Sequence, residues 1–199
     1  MRTSTETVPR PRGRPRKFDA DKVLAKALQR FRTHGFASTS LDDLAEATGV
    51  NRPSLYAAFG DKKAMYLAAL ARARLWLEAS FDTLIAADYP IDKMFKALFI
   101  GAIDGYLTGE SGPSGCIVIN TAATAAGTDP DIRAALAEIL ALEDAKIETA
   151  LRQAGSPSPQ AHARLAASLL HSLSVRARAG ESREALIAIA KDASALIAG

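Results

Sequence analysis

From residue 18 onward apolar positions return at intervals of three and four, and nowhere does a stretch alternate with period two, so the pattern predicts helices throughout and no strand. The first helix is capped by Asp19, carries Val23, Leu24, Ala27, Leu28 and Phe31 on one face, and ends at Gly35. A second opens at Ser40, where Asp43 three residues on completes a capping box, and its inner face is Leu41, Leu44 and Ala45. Gly49 then supplies a turn residue that tolerates positive φ, with Val50 plugging the angle behind it. A third helix starts from Asn51, accommodates Pro53 in its first turn where a missing N–H costs nothing, and stops at Gly60. Leu55 and Phe59 face inward on it. That leaves Arg52, Ser54, Ala57 and Ala58 facing out and Tyr56 at the edge. Two short helices joined by a glycine turn have helix-turn-helix spacing, and an exposed face of small residues with one arginine suits a DNA major groove. Phe36, Leu44, Leu55 and Phe59 are the expected core of this three-helix head, which is marginal alone.

Asp61 caps a segment that runs to about Ala87 without Gly or Pro, roughly 40 Å of helix. Further helices are predicted over Ile91–Leu107, Cys116–Ala126 and Thr128–Gly155, the last opened by a capping box from Thr128 to Asp131. Two more, Gln160–Ala179 and Ser182–Ala198, are separated by Gly180. The loop GESGPSG (109–115) and the punctuation SPSP (156–159) interrupt this series.

Composition sets the class. The chain has 199 residues, 48% hydrophobic and 24% charged, enough for one or two cores. No apolar run reaches the roughly 20 residues of a membrane span, and the start of the chain is basic and Pro-rich without an apolar signal segment. With one cysteine, Cys116, there is no internal disulfide framework, and the expected location is cytoplasmic. The net charge of +3 is unevenly spread: residues 1–63 hold thirteen Lys and Arg against seven Asp and Glu, a local +6, and the remainder is net −3. Arg10, Arg12, Arg14, Arg16 and Lys17 crowd into PRPRGRPRK, where the prolines forbid a helix. This segment reads as an extended arm, and Gly13-Arg14-Pro15 suits a narrow A·T-rich minor groove.

Residues 18–66 resemble the DNA-binding domain of the TetR family of transcriptional regulators. The likeness is carried by FRTHGF (Phe31–Phe36), by TSLDDLAEATGV and by LYAAFGDKKAMY, although Ala57 and Ala58 stand where the family often has an aromatic and a histidine. The resemblance implies an all-α fold: an N-terminal three-helix helix-turn-helix DNA-binding domain, then a C-terminal helical ligand-binding and dimerisation domain. The expected division is a basic arm (1–17), a DNA-binding head (18–63) and a body (64–199). DNA contacts are expected from Arg12, Arg14, Arg16, Lys17, Ser40, Arg52, Pro53, Ser54, Tyr56 and Lys62. Lys62 and Lys63 both resemble the family's backbone-binding lysine position, and Lys62 is the one taken for the contact.

The family also implies that the last two helices pair with their twin in a homodimer, with Leu165, Leu169, Leu173, Leu186 and Ile189 in the seam. An unidentified, mainly hydrophobic effector is expected against Trp76, Phe81, Met94, Phe95, Phe99, Ile103, Tyr106, Cys116 and Asn120, with Thr121 beside them. The alternative for the aromatic group is plain core packing. Enzyme chemistry finds no footing: His34, His162 and His171 lack metal-ligand spacing, no glycine-rich phosphate loop follows a strand, and no cofactor is implied. Cys116, followed by an apolar run, reads as a small core residue with redox sensing as the alternative. Two function classes fit the whole: a ligand-responsive regulator, for which repression is the family's usual mode, and a DNA-binding dimer that is architectural or partner-controlled.

Overall fold

The computed structural model describes residues 18–109 and 112–198, with backbone only for 121–123 and 198. Among the described residues the chain is all-helical: α1 (Ala20–His34), α2 (Leu41–Thr48), α3 (Arg52–Phe59), α4 (Lys62–Ala86), α5 (Ile91–Leu107), α6 (Ile117–Thr124), α7 (Pro130–Gln153), α8 (Pro159–Arg178) and α9 (Arg183–Ala198). Local chemistry fixes the starts of the first four. Asp19, Ser40, Asn51 and Asp61 each accept a backbone N–H from the first turn, satisfying donors that a helix leaves open. At α7 the expected cap shifts by one residue: Asp129, not Thr128, accepts from the N–H groups of Asp131 and Ile132. The helix starts at Pro130, so Thr128 lies one residue before the cap position and instead donates to the Ala125 carbonyl. Gly49 adopts the left-handed conformation at φ 74°, as the turn between α2 and α3 requires.

Two apolar cores lie along the molecule. One joins α1, α2 and α3 to the first half of α4, to α6 and to the first half of α7, with Phe31, Leu44, Leu55, Tyr66, Leu70 and Ile132 fully buried in it. The second lies within the body, where Phe95, Phe99 and Ile103 of α5 pack on Ala166, Leu170 and Leu173 of α8 and on Leu186 of α9. The three short helices of the head therefore do not close their core by themselves. They borrow α4, α6 and α7.

Candidate nucleic-acid interface

The geometry of the head follows from its caps. Ser40 Oγ accepts the Asp43 N–H at 3.1 Å, the Asp43 carboxylate accepts the Ser40 backbone N–H at 2.8 Å, and Ser40 Oγ donates to the same carboxylate at 2.6 Å. Arg30 of α1 donates to the other Asp43 oxygen at 3.0 Å. These partners, the Ser40 hydroxyl first, hold the Asp43 carboxyl down at about 2. The first turn of α2 is thereby bolted to α1, and α3 follows from the Gly49 turn in a fixed direction.

On α3, Leu55 is fully buried and Phe59 is half-buried against Phe18, with ring centroids 6.2 Å apart. Arg52, Pro53, Tyr56 and Ala57 are exposed, while Ser54 and Ala58 are half-buried. Arg52 and Ala57 face out as the spacing predicts, Tyr56 is more open than an edge position, and Ser54 and Ala58, expected outward, are partly covered. Arg52 spans to α2, where its Nη1 lies 3.2 Å from Asp42 Oδ1 in an exposed pair that water and salt weaken. Ser40 spends its hydroxyl proton on Asp43.

Lys62 and Lys63 part ways. Lys62 folds back, donating to the Phe36 carbonyl at 3.0 Å with its ammonium 4.4 Å from the centre of the Phe36 ring, and makes no ion pair among the described residues. One of its three donors is used there. Lys63 bridges to the start of α7 instead, 2.9 Å from Asp129 and 2.6 Å from Asp131, and these acids raise its pKa. Arg12, Arg14, Arg16 and Lys17 lie outside the described residues.

A second joint ties head to body, and sequence reading missed it. At the C-terminal end of α1, the Arg32 carbonyl accepts from Asn120 Nδ2 and, at 3.2 Å, from Arg178 Nη1 of α8. The same Arg178 nitrogen reaches Asn120 Oδ1 at 2.9 Å and the Ser114 carbonyl at 3.3 Å, while Arg32 itself donates to the Thr108 carbonyl. Asn120 thus serves as a strut between α1, α6 and α8 rather than facing a cavity. Arg178 and Lys63 carry no local signal for such roles, since their acceptors lie far away along the chain.

The proposed effector-binding residues fall in three environments. Phe81, Met94, Phe95, Phe99 and Ile103 are buried in the body core, Phe95 and Phe99 stacked with centroids 5.8 Å apart, and Tyr106 packs half-buried beside them. These side chains fill one another's space, which is the core alternative of the sequence reading. Trp76 is 70% exposed on the outer face of α4. Cys116 sits on the other core, its backbone N–H donating to Ser174 Oγ at 2.8 Å, and burial pushes its thiol up to about 11, which favours the protonated form. Nearby, Glu143 is buried and meets His171 Nε2 at 3.0 Å, a bond that raises the histidine's pKa.

Of the residues assigned to the dimer seam, Leu173 and Leu186 are fully buried inside the protomer and are corrected to core. Their faces of α8 and α9 turn toward α5. Leu165 is exposed, Leu169 and Ile189 are half-buried, and the open apolar positions nearby are Val175 and Leu196, the latter 85% exposed.

Residues 23–69 match the family model described as bacterial regulatory proteins, tetR family. The chain is 34% identical over 194 residues to the HTH-type transcriptional repressor ComR of Escherichia coli (strain K12), covering 94% of this chain and 92% of that protein. It is 25% identical over 178 residues to the repressor BdcR of the same organism, covering 89% and 88%. Among solved structures, a cysteine mutant of the TetR family regulator CifR complexed with 26-base-pair operator DNA matches at a TM-score of 0.80 and 26% identity, over 91% of this chain and 98% of that one. These relatives are transcriptional regulators and not enzymes. With a capped helix-turn-helix, an outward-facing α3 and a repressor relative aligned over nearly its whole length, the chain belongs to the TetR family and is a DNA-binding transcriptional regulator.

Proposed function

We propose that the protein is a cytoplasmic repressor that binds a palindromic operator as a homodimer and is released by a small hydrophobic effector. The observation that carries the reading is the outer face of α3: Arg52, Pro53, Tyr56 and Ala57 stand exposed on a helix whose direction is fixed by α1, α2 and α4. Ser54 completes that face, Ser40 and Lys62 flank it toward the phosphates, and the arm with Arg12, Arg14, Arg16 and Lys17 reaches the adjacent minor groove. The operator complex of CifR supports the same docking here. The division into arm (1–17), head (18–63) and body (64–199) belongs to this proposal, with the head resting on a core it shares with the body.

Dimerisation is supported by the unpartnered apolar positions Leu165, Val175 and Leu196, with half-buried Leu169 and Ile189, on adjacent helices α8 and α9. A two-fold axis through that face sets two α3 helices for successive major grooves about 34 Å apart. No helix among the described residues is long and apolar enough to cross a membrane, which fits a cytoplasmic setting. The test is fluorescence anisotropy of duplexes drawn from the DNA upstream of the protein's own gene. One duplex should be bound by two protomers, and destroying either half of its inverted repeat should abolish tight binding. Equal affinity for a single half-site would overturn the dimeric-operator reading.

A further inference from the structure

α4 and α7 are clasped at both ends and share buried core residues between them, and beside that packing an open groove runs along the surface. At the head end Lys63 is held by Asp129 and Asp131, and at the far end Lys146 pairs with Glu78 and Asp82. Between these clasps lies a groove of about 330 Å³, walled by Leu67, Leu70, Ala71 and Leu75 of α4 and by Ala135 and Ile139 of α7, with Arg74 and Glu138 as its charged members. Ala71 and Ala135 are the smallest side chains in its lining. It contains no residue of α8 or α9, and it is separate from the packed aromatic residues of α5.

One polar atom in this wall is unsatisfied. Arg74 Nε is buried and has no acceptor, and Arg74 Nη1 reaches Glu78 only at 3.9 Å, beyond hydrogen-bond distance. Glu138, the other charged member of the lining, is exposed, so water and salt screen its charge. The Nε–H of Arg74, on a side chain that is 39% exposed, is a free donor beside an apolar trough, and the pair suits a flat apolar body of one or two rings bearing a carboxylate.

We propose that the α4–α7 groove binds a small aromatic carboxylate, with its ring against Leu70, Leu75 and Ile139 and its anion on Arg74. This deepens the effector reading given above, placing the effector outside the body core. Leu70 and Ile139 are also members of the core that seats α1, α2 and α3, so an occupant wedged between α4 and α7 acts directly on the support of the head. Any ligand that favours one spacing of α4 and α7 shifts DNA affinity, and DNA shifts ligand affinity by the same factor.

The experiment is calorimetric titration of the purified full-length protein, without DNA, using 1-naphthoate and its neutral counterpart 1-naphthalenemethanol. Naphthoate should bind the wild type and raise its melting temperature. Arg74→Gln should weaken naphthoate by about tenfold or more while changing the neutral probe little, because only the anion uses the guanidinium. Ala135→Phe should fill the groove and abolish binding of both, with Ala71→Leu as the milder filling variant should the first not fold. No naphthoate binding to the wild type, or unchanged binding in the filled variant, overturns the proposal. Because the titration contains no DNA, such a failure leaves operator recognition standing, and failure to bind an operator would leave the groove's ligand intact.

Discussion

α3 and α5 are both amphipathic helices locked between neighbours, yet they treat their side chains in opposite ways. The eight residues of α3 bury Leu55 completely and leave Arg52, Pro53, Tyr56 and Ala57 in water, whereas α5 buries Met94, Phe95, Leu98, Phe99 and Ile103. On α3 the outward face is defined by the want of large aliphatic side chains on it, and by caps that fix both ends. On α5 a run of large apolar residues says only that something covers it. Another helix and a bound ligand satisfy such a face equally well, and here α8 and α9 cover it.

The strongest way to break this comparison is through the two cores. Phe99→Ala, inside the body core, should destabilise the protein by about 3–5 kcal/mol, and Ile132→Ala, on α7 but in the core shared with the head, by about 2–5 kcal/mol. Chemical denaturation measures both losses. Native-state hydrogen exchange separates them: Ile132→Ala should speed exchange in α1 and α2, where Phe99→Ala should act first on α5 and α8. Exchange in α1 that ignored Ile132→Ala would mean that the head folds independently of the body.

A smaller effect comes from the caps that orient α3. Ser40→Ala should cost about 1 kcal/mol by removing the N-cap of α2. The accompanying acid titration has a definite sign. Because the folded Asp43 carboxyl sits at about 2, below its ordinary 3.8, its contribution is complete above about pH 4 and is lost as pH falls toward 2. Carboxyl chemical shifts in the Ser40→Ala protein should report an Asp43 pKa moved upward.

The smallest expected effect belongs to the body. Glu143 raises the pKa of His171, so this pair stabilises fully below the ordinary histidine value of 6.5 and loses that contribution as pH rises through the raised folded value. Melting temperature should therefore decline from pH 6 toward 8 in the wild type more than in His171→Gln. Identical slopes would show that the pair carries no linked proton.

The head was legible because its signals are local. Asp19, Ser40, Asn51 and Asp61 lie within three residues of the donors they cap, and Gly49 stands where the backbone needs positive φ. The body resisted because its decisive contacts are long-range. Nothing near Asn120 announces that Arg178 will meet it, nothing near Lys63 announces Asp129, and apolar Leu173 reads the same whether it faces α5 or a second protomer. The groove between α4 and α7 was invisible for a related reason: its lining comes from two helices far apart along the chain, held by two ion-pair clasps.

The central claim is that α3 reads DNA, and selection of bound duplexes from a random pool by the wild type and by Arg52→Ala tests it most directly. The account predicts that the wild type selects an inverted repeat, and that Arg52→Ala relaxes base preference at one position in each half while costing about 1–3 kcal/mol on the selected site. An unchanged selected sequence in Arg52→Ala would contradict it.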